Sequence, residues 1–247
     1  MRQKHRVALV TGASRGIGRA IALTLGQAGA RVAVSYRLNK QGAQRVVNEL
    51  RALGSEGIAI ASEVTDFARV KDLVASVVSH FGRFDVLVNN VGDFNWKPVF
   101  DSTPEEWQAI LTSNLSSVFY ASKAALPVMR RQNWGRIINL GAVGAERAFG
   151  QAKISAFSAA KAGLVAFSRS LALEEAKYGI TVNIVNPAIM DDTELTREEA
   201  SRIADARFPV GHPATAQDVA AAVKFFASED ASFITGQVIN VSGGWML

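Results

Sequence analysis

The turn Thr11-Gly12-Ala13-Ser14-Arg15-Gly16-Ile17-Gly18 restricts the fold of this 247-residue chain more than any other feature. It follows the apolar run Val7-Ala8-Leu9-Val10 and opens a helical stretch near 17–28. Gly12 permits a tight turn, Gly16 lets the backbone approach a pyrophosphate, and Gly18 lets helix and strand pack closely. The unpaired amides at the helix start, with the helix dipole behind them, favour phosphate charge. A glycine triplet alone is weak evidence. Between a strand and a helix it points to a dinucleotide, and Ser14, Arg15 and Ile17 join the glycines as candidate contacts.

The rest of the chain repeats the same alternation. Candidate strands are Val7–Val10, Arg31–Tyr36, Gly57–Ala61, Val86–Asn89, Arg136–Leu140, Thr181–Val185 and Gln237–Val241. Helical patterns lie between them near 17–28, 40–53, 67–81, 104–131, 152–178 and 216–227. Continuous apolar strands are buried on both faces, and strands separated by helices require right-handed crossovers. The expectation is an α/β fold: one Rossmann-type, doubly wound domain with a seven-stranded parallel sheet and helices on both faces. The length suits a single core without staples. The least regular segment, about 187–215, follows the sixth strand, where ligands of such sheets bind, and is a candidate substrate lid or a plain surface excursion.

Composition removes several kinds of chemistry. The chain has no cysteine, which excludes disulfides and thiolate chemistry. His5, His80 and His212 lack ligand spacing, so no metal is expected. The start, Met1 to Arg6, has no signal-peptide pattern, and no apolar run reaches membrane-spanning length, so a cytoplasmic protein with no membrane partner is expected. The net charge is +5, and residues 1–48 hold no Asp or Glu. These charges are interleaved with a regular strand–turn–helix pattern. That favours a solvated surface with an anionic small ligand over a nucleic acid, for which no recognition motif appears.

The end of the second strand selects the dinucleotide. NAD sites place an acidic residue there for the ribose 2′-hydroxyl. This chain has Ser35-Tyr36-Arg37, and its first acidic residue is Glu49. Arg37, with Arg15, suits a 2′-phosphate through fork-like guanidinium contacts, so NADP(H) is expected. Asn89-Asn90-Val91-Gly92, closing the fourth strand, bounds the adenine-ribose side.

Together these motifs resemble the short-chain dehydrogenase/reductase family over essentially the whole chain. Thr11–Gly18, Asn89–Gly92, Asn114, Phe157–Lys161, Asn186-Pro187 and Gly236–Gly244 carry the resemblance. Within the family the chain looks most like 3-oxoacyl-(acyl-carrier-protein) reductases, through Gly135–Asn139, Ala159–Leu164 and Gly179–Asn183. The resemblance implies catalytic Asn, Ser, Tyr and Lys. Asn114 and Lys161 match the first and last. Ala142 stands where the serine belongs and Phe157 where the tyrosine belongs. Glu63-Val64 replaces a usual Asp at the adenine contact, and Pro187-Ala188 replaces Pro-Gly. In the family the lysine also grips the cofactor ribose.

The family's tyrosine protonates the carbonyl oxygen and its serine holds that oxygen. Phe157 keeps the ring and lacks the proton. Losing a positioned acid costs about 10²–10⁴-fold, and losing one oxyanion donor about 10²–10³-fold. Ser158 shares the Lys161 face and is a candidate substitute; Lys153 is another, and Ser155 points elsewhere. Two readings stay open. One is an NADPH-dependent reductase of carbonyls or acyl thioesters with impaired catalysis. The other is an inactive NADP(H)-binding pseudo-enzyme or partner subunit. The apolar faces near 104–131 and 152–178 suggest a homodimer or homotetramer, and Trp245-Met246-Leu247 either meets a neighbour or folds back on its own chain.

Overall fold

In the computed structural model, the described residues are 6–246; His5, Leu247 and the start of the basic segment lie outside them. Seven strands form one parallel sheet: β1 (Val7–Val10), β2 (Arg31–Tyr36), β3 (Gly57–Ala61), β4 (Val86–Asn89), β5 (Gly135–Leu140), β6 (Ile180–Pro187) and β7 (Val238–Val241). Their order is β3-β2-β1-β4-β5-β6-β7, so the connection direction reverses beside β1, between β1 and β4. Every pairing is parallel, as the crossovers require.

Alternation along β1 splits the core in two. Ala8 and Val10 face α1 (Gly16–Gln27), α2 (Lys40–Ala52) and α8 (Ala216–Phe226), joining Ile21, Val46, Leu50, Val219 and Phe226. Val7 and Leu9 face the opposite layer, with Leu73 and Val77 of α3 (Phe67–Phe81), Met129 of α5 (Ser117–Gln132) and Leu171 of α6 (Ser155–Glu175). A period of two in a strand buried on both faces produces this division. Local signals fix the helix ends. The Asp66 carboxylate accepts from Ala68 N at 2.8 Å, and Gly82 ends α3 with φ +78°.

The pattern near 104–131 is not one helix. It is α4 (Pro104–Leu111), a π-helical turn over Thr112–Ser116, and then α5. Ser117 N donates to Thr112 O, five residues back, and the side-chain amide of Asn114 takes the carbonyl of Ile110 at 3.0 Å. Such bulges are frequent at functional sites. The pattern near 152–178 narrows to α6 with a short 3₁₀ turn after it. The excursion of about 187–215 contains only the single-turn α7 (Arg197–Ala200). Among the described residues no helix is long and apolar enough to cross a membrane.

Candidate active site

The site lies along the carboxyl ends of the strands. Asn90, just after β4, clamps the glycine turn. Its Nδ2 donates to Thr11 O at 2.9 Å, while the Thr11 hydroxyl accepts from the amides of Asn90 at 2.9 Å and Val91 at 3.3 Å. Gly16 holds φ +55°, and a Cβ on Gly18 would stand 2.7 Å from Asn90 Nδ2. Both positions therefore demand glycine, one for its dihedral and one for its closeness to the clamp. Gly16 N faces outward and donates to Glu194 Oε1 at 3.0 Å, and Arg19 approaches the same carboxylate at 3.6 Å. A side-chain anion thus already occupies the amide that sequence assigns to a phosphate, which shows that the cradle accepts negative charge.

Beside it lies a cavity of about 440 Å³. Gly12, Ser14 and Arg15 of the glycine turn line it, with Arg37 after β2, Glu63 and Val64 after β3, and Val91 after β4. Seven of the predicted cofactor residues are therefore brought together here, with Ile17 in the first turn of α1, while Lys161 and Pro187 border a different cavity. Arg37 is also paired within the chain: its guanidinium stands 3.5 Å from the Glu63 carboxylate.

The second half of the site gathers around Lys161. Its Nζ donates to Leu140 O at 2.8 Å, and burial pulls its pKa down to about 8. Asn114 is fully buried, its Nδ2 donating to Asp93 O at 2.8 Å. Asn114 Oδ1 has no partner among the described residues. A Cβ on Gly92 would overlap that oxygen and lie 3.5 Å from Lys161 Nζ, which places Gly92, Asn114 and Lys161 at one point. A buried chain holds the layer beneath: Asn89 Nδ2 to Asn139 Oδ1 at 2.8 Å, then Asn139 Nδ2 to Ser168 Oγ at 2.9 Å. Each polar group in it is paired, as burial requires.

Phe157 lies one turn before Lys161 on α6. Its ring is 5.5 Å from Nζ and 5.1 Å from the Phe94 ring, edge to face. Phe157, Lys161, Ala142 and Pro187 border a second cavity, of about 360 Å³. Ser158 is the sole hydroxyl side chain among its described lining residues. Lys153 and Ser155 border a separate cavity of about 250 Å³ beside α4 and do not line the Phe157 cavity. Tyr36, Tyr120 and Tyr178 do not line the Phe157 cavity. The chain end folds back: Trp245 lies 6.4 Å from Phe208, and Trp245 and Met246 close the cavity. Loop aromatics Phe94, Trp96 and Phe149 line it too and escaped the sequence reading, although large aromatics in polar loops were the available signal. Among the described residues no acidic or histidine cluster could hold a metal.

Known proteins share this fold. Residues 12–246 match the family model described as Enoyl-(Acyl carrier protein) reductase. The 3-oxoacyl-(acyl-carrier-protein) reductase FabG of Escherichia coli (strain K12) is 42% identical over 249 residues, covering 99% of this chain and 98% of that protein. FabG of Staphylococcus aureus (strain Mu50) is 42% identical over 240 residues, covering 96% of each. The crystal structure of acetoin dehydrogenase YohF from Salmonella typhimurium superposes with a TM-score of 0.87 at 30% identity, covering 98% of this chain and 96% of that one. The chain belongs to the short-chain dehydrogenase/reductase family, a family of oxidoreductases.

Proposed function

We propose that the chain is an NADPH-dependent oxidoreductase acting on C=O/CH–OH groups, of the carbonyl or 3-oxoacyl thioester reductase type, with slowed carbonyl chemistry. The observation that carries this is the outward amide of Gly16, holding a carboxylate at 3.0 Å beside the cavity that Arg15 and Arg37 border. Gly12, Ser14, Arg15, Gly16, Ile17 and Gly18 would hold the pyrophosphate, and Arg37 the ribose phosphate. Asn90, Val91, Gly92, Glu63, Val64 and Pro187 would bound the rest. The bound dinucleotide would supply the hydride.

The remaining steps fall to the chain's own residues. Lys161 Nζ, fixed on Leu140 O, is placed to grip the ribose hydroxyls. Asn114 Oδ1, buried and unpartnered among the described residues, is the atom to anchor a water that carries a proton to the site. Ala142 and Phe157 add no donor at the reacting oxygen, so a carbonyl would receive its proton from solvent or Ser158. That arrangement is expected to lower carbonyl turnover by about 10²–10⁴-fold relative to a positioned acid.

Arg37→Ala is expected to weaken NADPH binding by about 10–100-fold, from loss of a charge-assisted hydrogen bond, and to leave NADH binding within about twofold. Titration of both dinucleotides by calorimetry checks this. Tighter NADH than NADPH binding by the unaltered chain rejects the NADP assignment.

A second reading, an inactive dinucleotide-binding partner subunit, draws on the same two carbon-only positions. Both readings suit a homodimer or homotetramer, supported by Leu173, 82% exposed on α6, with Phe119 on α5 and Trp107 on α4 also exposed.

A further inference from the structure

We propose that the cavity beside Lys161 takes a cationic carbon–nitrogen double bond, an iminium, in preference to a carbonyl. The inference rests on the reading of this chain as a binder of a reduced nicotinamide dinucleotide, and it names the substrate class of that same site.

Reduction of a ketone leaves an alkoxide, which needs hydrogen-bond donors at the oxygen and then a proton. At the two positions that would meet this oxygen the chain presents a methyl group, Ala142, and a phenyl ring, Phe157. An iminium makes no such demand. Its carbon receives the hydride and a new C–H bond forms. The π pair of the C=N bond becomes the lone pair of nitrogen. The substrate is reduced to an amine, and its single positive charge passes to the nicotinamide ring as that ring is oxidised. No proton crosses, so the missing phenol and hydroxyl take nothing from the reaction.

The walls suit a cation. Phe94 and Trp96 come from the segment after β4, Phe149 from the segment after β5, Phe157 from α6, and Trp245 from the chain end, and all five border the same 360 Å³ space. Phe94 stands 5.1 Å from Phe157 and 6.0 Å from Trp96, ring centre to ring centre. Aromatic faces attract positive charge through their quadrupoles, and cages of this kind recognise ammonium ligands. Phe157 already engages a cation, since Lys161 Nζ lies 5.5 Å from its centroid. Lys161 is the sole titratable side chain among the described lining residues and the one that favours an oxyanion. It is committed to Leu140 O at 2.8 Å, and burial lowers its pKa to about 8.

Two bicyclic probes of the same size decide the matter: N-methyl-3,4-dihydroisoquinolinium, a permanent cation, and α-tetralone, its neutral ketone counterpart. Without dinucleotide, quenching of tryptophan fluorescence is expected to show the iminium binding about 10-fold tighter than the ketone. Trp96→Leu and, separately, Phe149→Leu are expected to weaken the iminium about fivefold more than the ketone. Both side chains are half-exposed, so each variant should fold. With NADPH, kcat/KM for the iminium, after subtraction of the uncatalysed rate, is expected to exceed that for the ketone by about 100-fold. Equal or tighter ketone binding, equal or faster ketone turnover, or failure of both probes to bind overturns the inference. Absence of NADPH binding in a separate titration defeats the dinucleotide reading instead, and the fluorescence arm still decides the cation preference.

Discussion

Ala142→Ser combined with Phe157→Tyr is expected to raise kcat/KM for a simple ketone by about 10²–10⁴-fold. The restored phenol would stand one helical turn from Lys161, in the cavity that Ala142 also borders. Lys161, held on Leu140 O, would then hold the phenol's pKa down through its charge. The serine hydroxyl would meet the same oxygen as the phenol, so the two gains should not multiply. The tyrosine alone should recover most of the rate and the serine alone little. A basic rate inflection, absent from the parent, should accompany the tyrosine. Steady-state kinetics across pH on both single variants and the double variant check each statement. If the double variant binds NADPH, melts normally and still leaves ketones untouched, the cavity is no longer shaped for a carbonyl.

Lys161→Met is expected to stabilise the fold at pH 7 while weakening dinucleotide binding. The amine is buried, and its pKa falls from 10.5 to about 8 because burial penalises the charged form. A folded-state value below the unfolded one means that the unfolded chain binds more protons between pH 8 and 10.5. Stability therefore rises with pH across that window, and the full penalty applies below it. The difference corresponds to about 3 kcal/mol at neutral pH. Methionine removes the charge and leaves Leu140 O without its donor, at a cost of about 1 kcal/mol. A net gain of about 2 kcal/mol should raise Tm by about 4–8 °C at pH 7 and give way to a small loss by pH 10.5, where the missing hydrogen bond dominates. Thermal melts at the two pH values test this. A variant that melts no higher at pH 7 would show that the penalty on the buried ammonium does not exceed the lost hydrogen bond. Dinucleotide affinity should fall by about 10-fold or more in the same variant, from loss of a charged hydrogen bond. The opposed signs separate a residue retained for binding from one retained for packing.

The sheet was legible because its signal is short-range. Val7 to Val10 are all fully buried, and a continuous apolar run between two turns leaves few alternatives to a central parallel strand. The glycine turn was legible for the same reason: dihedral and contact demands at Gly16 and Gly18 act within a few residues. The break after α4 was not. A π-helical turn is set by a backbone bond, Ser117 N to Thr112 O five residues back, that no residue type in the run announces. The walls of the second cavity were equally hidden. Phe94, Phe149 and Trp245 belong to three separate loops, and they meet because β4, β5 and β7 end at the same edge of the sheet. The ion pair of Arg37 was not legible either. Its partner Glu63 follows a different strand, and nothing local to either residue signals the 3.5 Å approach.

The carboxylate of Glu194 on the Gly16 amide carries a kinetic meaning as well as an electrostatic one. Under the proposed dinucleotide reading the turn would behave as an exchange post: one acid group would leave before another enters. An association constant measured on this chain therefore reports a trade between two anions rather than capture by a bare amide. On that reading the strand-end segment bearing Asp191, Asp192 and Glu194 would be the arm that swings aside for the trade to proceed.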